Sequence, residues 1–238
     1  MLIAKETFNI LDEYFYELTP KNKEEIYKYY SLIETENQKY NLTGFYNENL
    51  LKEGIIESIL IFKEIQNSIF DFNRSSEILD IGSGAGFPIL PYFIINPNFN
   101  LTIYEPMTKR VNFLNEVIQN LNLKNIIVKQ IRAEDSSEFE KFDFISARAV
   151  SELKNLIEIS HKLGKNNATF CFLKSQNYYQ EINNANWIKN KLNIDFKIVN
   201  LPVFFNINNT LVYYQKKSKT PHDIPRKWAT IIKDNLKK

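Results

Sequence analysis

The sequence predicts a doubly wound α/β sheet, mostly parallel with an antiparallel edge pair, preceded by a helical extension. Three observations carry this. From Ser76 onward short apolar runs alternate with helix-periodic segments, the pattern that parallel strands joined by helical crossovers leave in a sequence. The last two runs, "DFKIVNL" and "TLVYYQ", are separated only by "PVFFNINN", too short for a helical crossover, so they pair antiparallel. The first run, "EILDI", opens into "GSGAG", which places three of the chain's six glycines at alternate positions of one turn.

The elements follow in order. "TPKNKEEIYKYYSLIETENQKY" reads as a helix with Thr19 at the N-cap and Pro20 at the first helical position, where proline's missing N–H costs nothing. Its apolar residues Ile26, Tyr29, Tyr30 and Ile33 recur at helical spacing. "NENLLKEGIIESILIFKEI" is a second helix, with Leu51, Ile55, Ile59 and Phe62 on one face. The strands are "EILDI", "NLTIYE", "NIIVKQI", "FDFISA", "ATFCFLK", "DFKIVNL" and "TLVYYQ". The helices among them are "TKRVNFLNEVIQNL", "SELKNLIEISHKL" and "QEINNANWIKNKL".

A chain of 238 residues can bury a core of its own. No apolar run is long enough to span a bilayer and the start has no signal-peptide pattern. The single cysteine, Cys171, excludes an internal disulfide and a thiolate zinc cage. His161 and His222 have no partners at metal spacing, so no metal site is expected. A cytoplasmic protein is expected, with no membrane partner and as a monomer. The net charge of +2 is segregated: residues 1–75 carry 8 basic and 13 acidic side chains, residues 216–238 carry 8 basic and 2 acidic. The division this implies is a helical extension over 1–72, the sheet domain over 73–216 and a basic tail over 217–238, with Lys216, Lys217, Arg226 and Lys227 compatible with a phosphate partner.

In open α/β sheets ligands bind at the carboxyl ends of the strands, where strand order reverses. Gly82, Gly84 and Gly86 allow positive φ or close approach of a ligand to the backbone. Glu105 closes the next strand 19 residues after Gly86, where a carboxylate can accept hydrogen bonds from ribose hydroxyls. Turn and acid together fit an adenosine cofactor. The spacing G-x-G-x-G followed by Phe87-Pro88 favours S-adenosylmethionine; a nicotinamide enzyme would want G-x-G-x-x-G and a proton donor. A non-catalytic nucleotide- or RNA-binding module stays open on these residues.

The ordered pieces "NLTGF", "LDIGSGAGFP", "KRVNFL", "RAED", "FDFISARA" and "FLK", between about Asn41 and about Lys174, resemble the bacterial RsmG or GidB family of 16S ribosomal RNA guanine-N7 methyltransferases. The resemblance implies a class I methyltransferase fold, Rossmann-like, S-adenosylmethionine as methyl donor, and 16S ribosomal RNA or the small ribosomal subunit as partner. It places donor contacts at Gly82, Phe87, Ala133, Glu134 and Arg148; Gly84 and Glu105 join them from the turn and acid. Arg148 is the expected catalytic residue, pairing with the donor's carboxylate or the incoming base, because the apolar strand before it offers no partner. The chain departs from the family at Gly54, where a histidine is usual, and at Glu57, where an aspartate is usual.

Overall fold

The computed structural model of the protein describes residues 1–235. Helix α1 (Ala4–Tyr14) precedes α2 (Pro20–Asn37). The predicted cap is present: Thr19 Oγ1 accepts from the Asn22 N–H at 3.2 Å. Ile26, Tyr29, Tyr30 and Ile33 are all buried. The second helical stretch is less regular than its periodicity predicts. α3 (Asn47–Asn49) runs through a π-helical segment, Leu50–Ile56, into α4 (Glu57–Ser68). Gly54 lies in this wider segment, and a Cβ there would stand 2.9 Å from Phe87 Cζ. The missing side chain lets an aromatic ring pack directly on the helix backbone.

The sheet comprises β1 (Glu77–Ile81), β2 (Asn100–Tyr104), β3 (Ile126–Lys129), β4 (Phe142–Arg148), β5 (Gly164–Lys174), β6 (Lys197–Asn200) and β7 (Thr210–Gln215). Helices α5 (Ile89–Ile95), α6 (Thr108–Asn120), α7 (Leu153–Ser160), α8 (Tyr178–Asn184), α9 (Asn186–Lys191) and α10 (Trp228–Asn235) surround it. The seven strands run in the order β3-β2-β1-β4-β5-β7-β6. The first five are parallel, while β7 pairs antiparallel with both β5 and β6. The predicted mostly parallel sheet with its reversed edge pair is therefore what forms. Reversal also brings the start of β7 to the carboxyl end of β5, with Thr210 opposite Lys174.

One sheet face carries a core shared with the N-terminal helices: Leu11, Ile26, Ile55 and Phe62 belong to the same cluster as Phe93 and Phe144. Aromatic rings dominate it, with Phe72 packed 5.1 Å from Phe144 and 5.3 Å from Phe99. The opposite face is covered by α7, α8 and α9 through Leu156, Ile157, Tyr178 and Ile188. Each such side chain withdrawn from water contributes about 1.5–3 kcal/mol.

The basic C-terminal segment departs from expectation. Lys216 is 1% exposed and donates to the Gly164 carbonyl at 2.9 Å and to Glu140 at 3.2 Å. Arg226 makes a fork to buried Glu158 at 2.7 and 2.9 Å and lies over the Trp187 ring. These two cations anchor the segment to the domain, leaving Lys217 and Lys227 as exposed charges. Leu236, Lys237 and Lys238 of the expected tail lie outside the described residues.

β1 pairs with β2 on one side and β4 on the other, so strand order reverses at the β1–β4 seam. Asp80 lies in that seam, fully buried. It accepts from the Ser146 hydroxyl at 2.6 Å and from the Ser83 hydroxyl. Burial outweighs these donors and pushes its carboxyl up to about 7. A carboxyl raised in the folded state binds more protons there than when unfolded, so stability falls as pH rises from about 4 to about 7 and levels off above. The loss is on the order of 4 kcal/mol at most. Urea melts between pH 4 and 8 should show a decline in the wild type that Asp80→Asn flattens; parallel curves for the two proteins would contradict this.

Candidate active site

The glycine turn follows β1 at the switch point. Gly82 has φ +72°, and a Cβ on it would fall 2.5 Å from Val150 Cγ2. Gly86 has φ +110°, and a Cβ there would meet the Tyr29 hydroxyl and Leu90 at 2.7 Å. Both positions therefore demand glycine for conformation and for space. The turn is gripped from outside. The buried Tyr29 hydroxyl, on α2, donates to the Ala85 carbonyl at 2.6 Å. Glu105, 1% exposed, accepts from the Gly84 N–H at 3.1 Å and from the Met107 N–H at 3.0 Å. The acid expected at the ribose thus also ties the turn after β1 to the loop after β2. Each carboxylate oxygen keeps lone-pair capacity for further donors.

Beside Gly82 lies a cavity of about 100 Å³, lined by Tyr104, Pro106, Ala133, Glu134, Val150 and Trp228 among others. Ala133 and Glu134 stand in a single 3₁₀ turn, Ala133–Asp135, after β3. Glu134 Oε1 is buried and has no hydrogen-bond partner; the nearest cation, Arg132, is 4.0 Å away. Burial raises this carboxyl above its ordinary range. Apolar walls with one unpaired buried acceptor suit a flat heteroaromatic ring that carries an amino group, and adenine is such a ring. The residues present fit an adenosine-bearing group.

Arg148 ends β4 with a partner the sequence reading did not foresee. Its Nη1 donates to Glu57 Oε2 at 3.3 Å, and the guanidinium lies 5.6 Å from the Phe87 ring centroid. The expectation of an arginine without protein partners fails because α4 supplies one across 91 positions of sequence. Burial lowers the Arg148 pKa, opposed by Glu57 and Asp80. Glu57 is 2% exposed, its carboxyl raised by burial, and its other oxygen accepts from Asn209 Nδ2 at 2.8 Å. The Phe87 ring points into the core against Tyr29 and Phe45, beneath Arg148 and against Gly54.

A second cavity, about 410 Å³, opens beside Arg148 and is lined by Val150, Lys174, Ser175, Glu181 and Asn209. Val150 lines both cavities, so they adjoin across one side chain. The structure brings Gly82, Ala133 and Glu134 to the first cavity and Arg148 to the second, with Gly84 and Glu105 laced behind the turn. Sequence reasoning missed Asn209, Val150 and Trp228, and treated Glu57 only as a departure from a pattern. Among the described residues no group of three His, Cys, Asp or Glu could hold a metal. His161 lies beside the stacked rings of Phe170 and Tyr214, and burial pushes its pKa down to about 3.

The model of the GidB family, described as rRNA small subunit methyltransferase G, matches residues 22–201. The protein named ribosomal RNA small subunit methyltransferase G from Mycoplasmopsis pulmonis is 37% identical over 234 residues, covering 96% of this chain and 100% of that protein. Its namesake from Mycoplasma mobile is 46% identical over 181 residues, 74% of this chain and 79% of that protein. Among solved structures, a SAM-dependent methyltransferase from Aquifex aeolicus shares the fold, with a TM-score of 0.54 at 18% identity over 71% of this chain and 94% of that one. With that fold, and with the glycine turn, the acid and the arginine gathered at one sheet edge, the chain belongs to the GidB family of rRNA small subunit methyltransferases G.

Proposed function

We propose that the chain transfers a methyl group from S-adenosylmethionine to N7 of a guanine in 16S ribosomal RNA, acting on the RNA or the small ribosomal subunit as a cytoplasmic monomer. No helix among the described residues is long and apolar enough to cross a membrane. The observation that carries the reading is the pair of adjoining cavities at the switch point, one with an unpaired buried acceptor and the other walled by an arginine.

Gly82 and Gly84, without side chains, let the donor lie close to the turn's backbone, Glu105 offers its remaining lone pairs to ribose hydroxyls, and the Ala133–Glu134 turn meets the adenine edge. The donor supplies a sulfonium methyl whose C–S electron pair stays on sulfur. Guanine N7 brings its own lone pair and no proton, so the chain needs no general base. This agrees with a site that holds no neutral histidine: His161 belongs to the core on the α7 face. What the chain must do is align the reacting atoms and exclude water. Arg148 has used one guanidinium N–H on Glu57, which leaves donors for the methionine carboxylate or the base. An unpaired base is the accessible form of the target. The division into a helical extension over 1–72 and a catalytic domain over 73–216 stays part of this reading, with the extension supplying Tyr29 and Glu57 to the site.

Glu134→Ala should weaken donor binding about tenfold, the worth of a hydrogen bond to a charged acceptor. The same change should leave the melting temperature of the free protein equal or higher, because it removes an unpaired buried carboxylate. Titration calorimetry and a thermal melt decide both; a large drop in stability with unchanged donor affinity would contradict the assignment.

Arg148→Ala strands Glu57 in the interior with Asn209 as its remaining partner. It should destabilise the protein by about 2–4 kcal/mol and cut methyl transfer to small subunits by about a hundredfold or more. Tritiated methyl transfer beside a urea melt tests it. A stable, fully active variant would remove Arg148 from the site.

A further inference from the structure

The second cavity gathers side chains from the carboxyl ends of β4 and β5 and the start of β7, and most of its polar groups are already committed. Lys174 donates to the Ser151 carbonyl at 2.8 Å and pairs with Glu181 at 2.7 Å. Glu181 also accepts from the Leu153 N–H at 2.7 Å. Arg148 and Asn209 are different, because each spends one group on Glu57 and keeps the rest. Glu57 stands behind both, one oxygen to each. An ionised carboxylate only accepts, so Asn209 must turn its nitrogen toward Glu57; that leaves its carbonyl oxygen, the acceptor, and one N–H to offer. The same carboxylate balances the Arg148 charge.

We propose that this cavity receives the acceptor guanine, with Arg148 donating to O6 beside N7, Asn209 Oδ1 accepting from N1–H, and Glu57 as the positioning residue that fixes both. The assignment rests on the donor site described above. A donor set against O6 and an acceptor set against N1–H selects guanine, because adenine presents the opposite polarity at both atoms. Glu57 carries the discrimination: without its charge Asn209 is free to flip its amide, and Arg148 loses the contact that orients it. The carboxylate also matters to the transfer. As the N7 lone pair forms the new N–C bond and the S–C pair stays on sulfur, the positive charge moves from sulfur to the base. Paired with Glu57, Arg148 does not set an unbalanced positive charge against that cation.

The test uses the full-length protein, S-adenosylmethionine and purified small ribosomal subunits, with Glu57→Gln, Asn209→Ala and the double variant. Each single change should lower kcat/KM for methyl transfer about 10- to 100-fold while donor affinity by calorimetry stays within about twofold. The double variant should lose no more than about the larger single loss, since Glu57 acts through Asn209 and Arg148. Asn209 is partly exposed just before β7, and its variant leaves Glu57 paired with Arg148, so it should melt somewhat lower yet still fold and keeps the test decisive if Glu57→Gln folds poorly. Single variants as active as the wild type, losses that follow donor affinity, or losses that multiply in the double variant would overturn the proposal. A wild type that binds donor yet transfers nothing to the subunit would overturn the functional reading beneath it.

Discussion

Everything at this site depends on a glycine turn whose own hydrogen bonds need support from the elements around it. "GSGAG" takes a left-handed backbone at three positions, and glycines give up more freedom than other residues when fixed. Inside the turn the Gly86 and Phe87 N–H groups donate to the Ser83 carbonyl at 2.8 and 2.9 Å, and three hydrogen bonds brace it from outside: Tyr29 on the Ala85 carbonyl, Glu105 on the Gly84 N–H, and Gly82 N–H on the Tyr104 carbonyl. Two of these come from the neighbouring strand and its loop, and one from the N-terminal helices. The helices before the sheet are therefore part of the site's construction. They reach it again through Glu57 and through the bare backbone of Gly54 beneath Phe87.

Charge is distributed around the turn in a consistent way. Asp80, Glu105, Glu134 and Glu57 are buried or nearly so within the same strand-end region, where Arg148 is the buried cation and the more exposed Arg110 and Arg132 approach Glu105 and Glu134. Burial raises the Asp80, Glu134 and Glu57 carboxyls, and the neighbouring cations offset it only in part. A sulfonium-bearing donor would add a positive charge beside them. In the proposed reading one positive charge would shift across Val150, from the cavity that holds Glu134 toward the one where Arg148 and Glu57 form a neutral pair. No proton needs to move, and the absence of a usable histidine beside either cavity follows the chemistry.

Local signals were legible in the sequence and long-range ones were not. Thr19 and Pro20 start α2 as their types demand, the glycine turn and Glu105 meet at the predicted strand ends, and the short "PVFFNINN" link yields the antiparallel pair. The π-helical stretch over Leu50–Ile56 left no trace because Leu51, Ile55 and Ile59 keep ordinary helical spacing through it, and one widened turn does not break that pattern. Arg148 and Glu57 are separated by 91 positions, and Asn209 lies 152 from Glu57; no spacing rule links such residues. Asn209 reaches the site only because β7 runs backwards, so strand polarity had to be known before the residue could be noticed. The basic tail misled through composition: Arg226 and Lys216 count as charge but act as anchors on Glu158 and Glu140.

The most direct test of this account is the identity of the modified nucleoside. Small ribosomal subunits lacking the modification would be incubated with the protein and S-adenosylmethionine, and their 16S RNA digested and resolved by mass spectrometry against nucleoside standards. A site that aligns a lone pair without a general base should yield 7-methylguanosine as the sole new product. Methyl groups on N1, on the 2-amino group or on a ribose hydroxyl, each of which requires loss of a proton, would contradict the account at its centre.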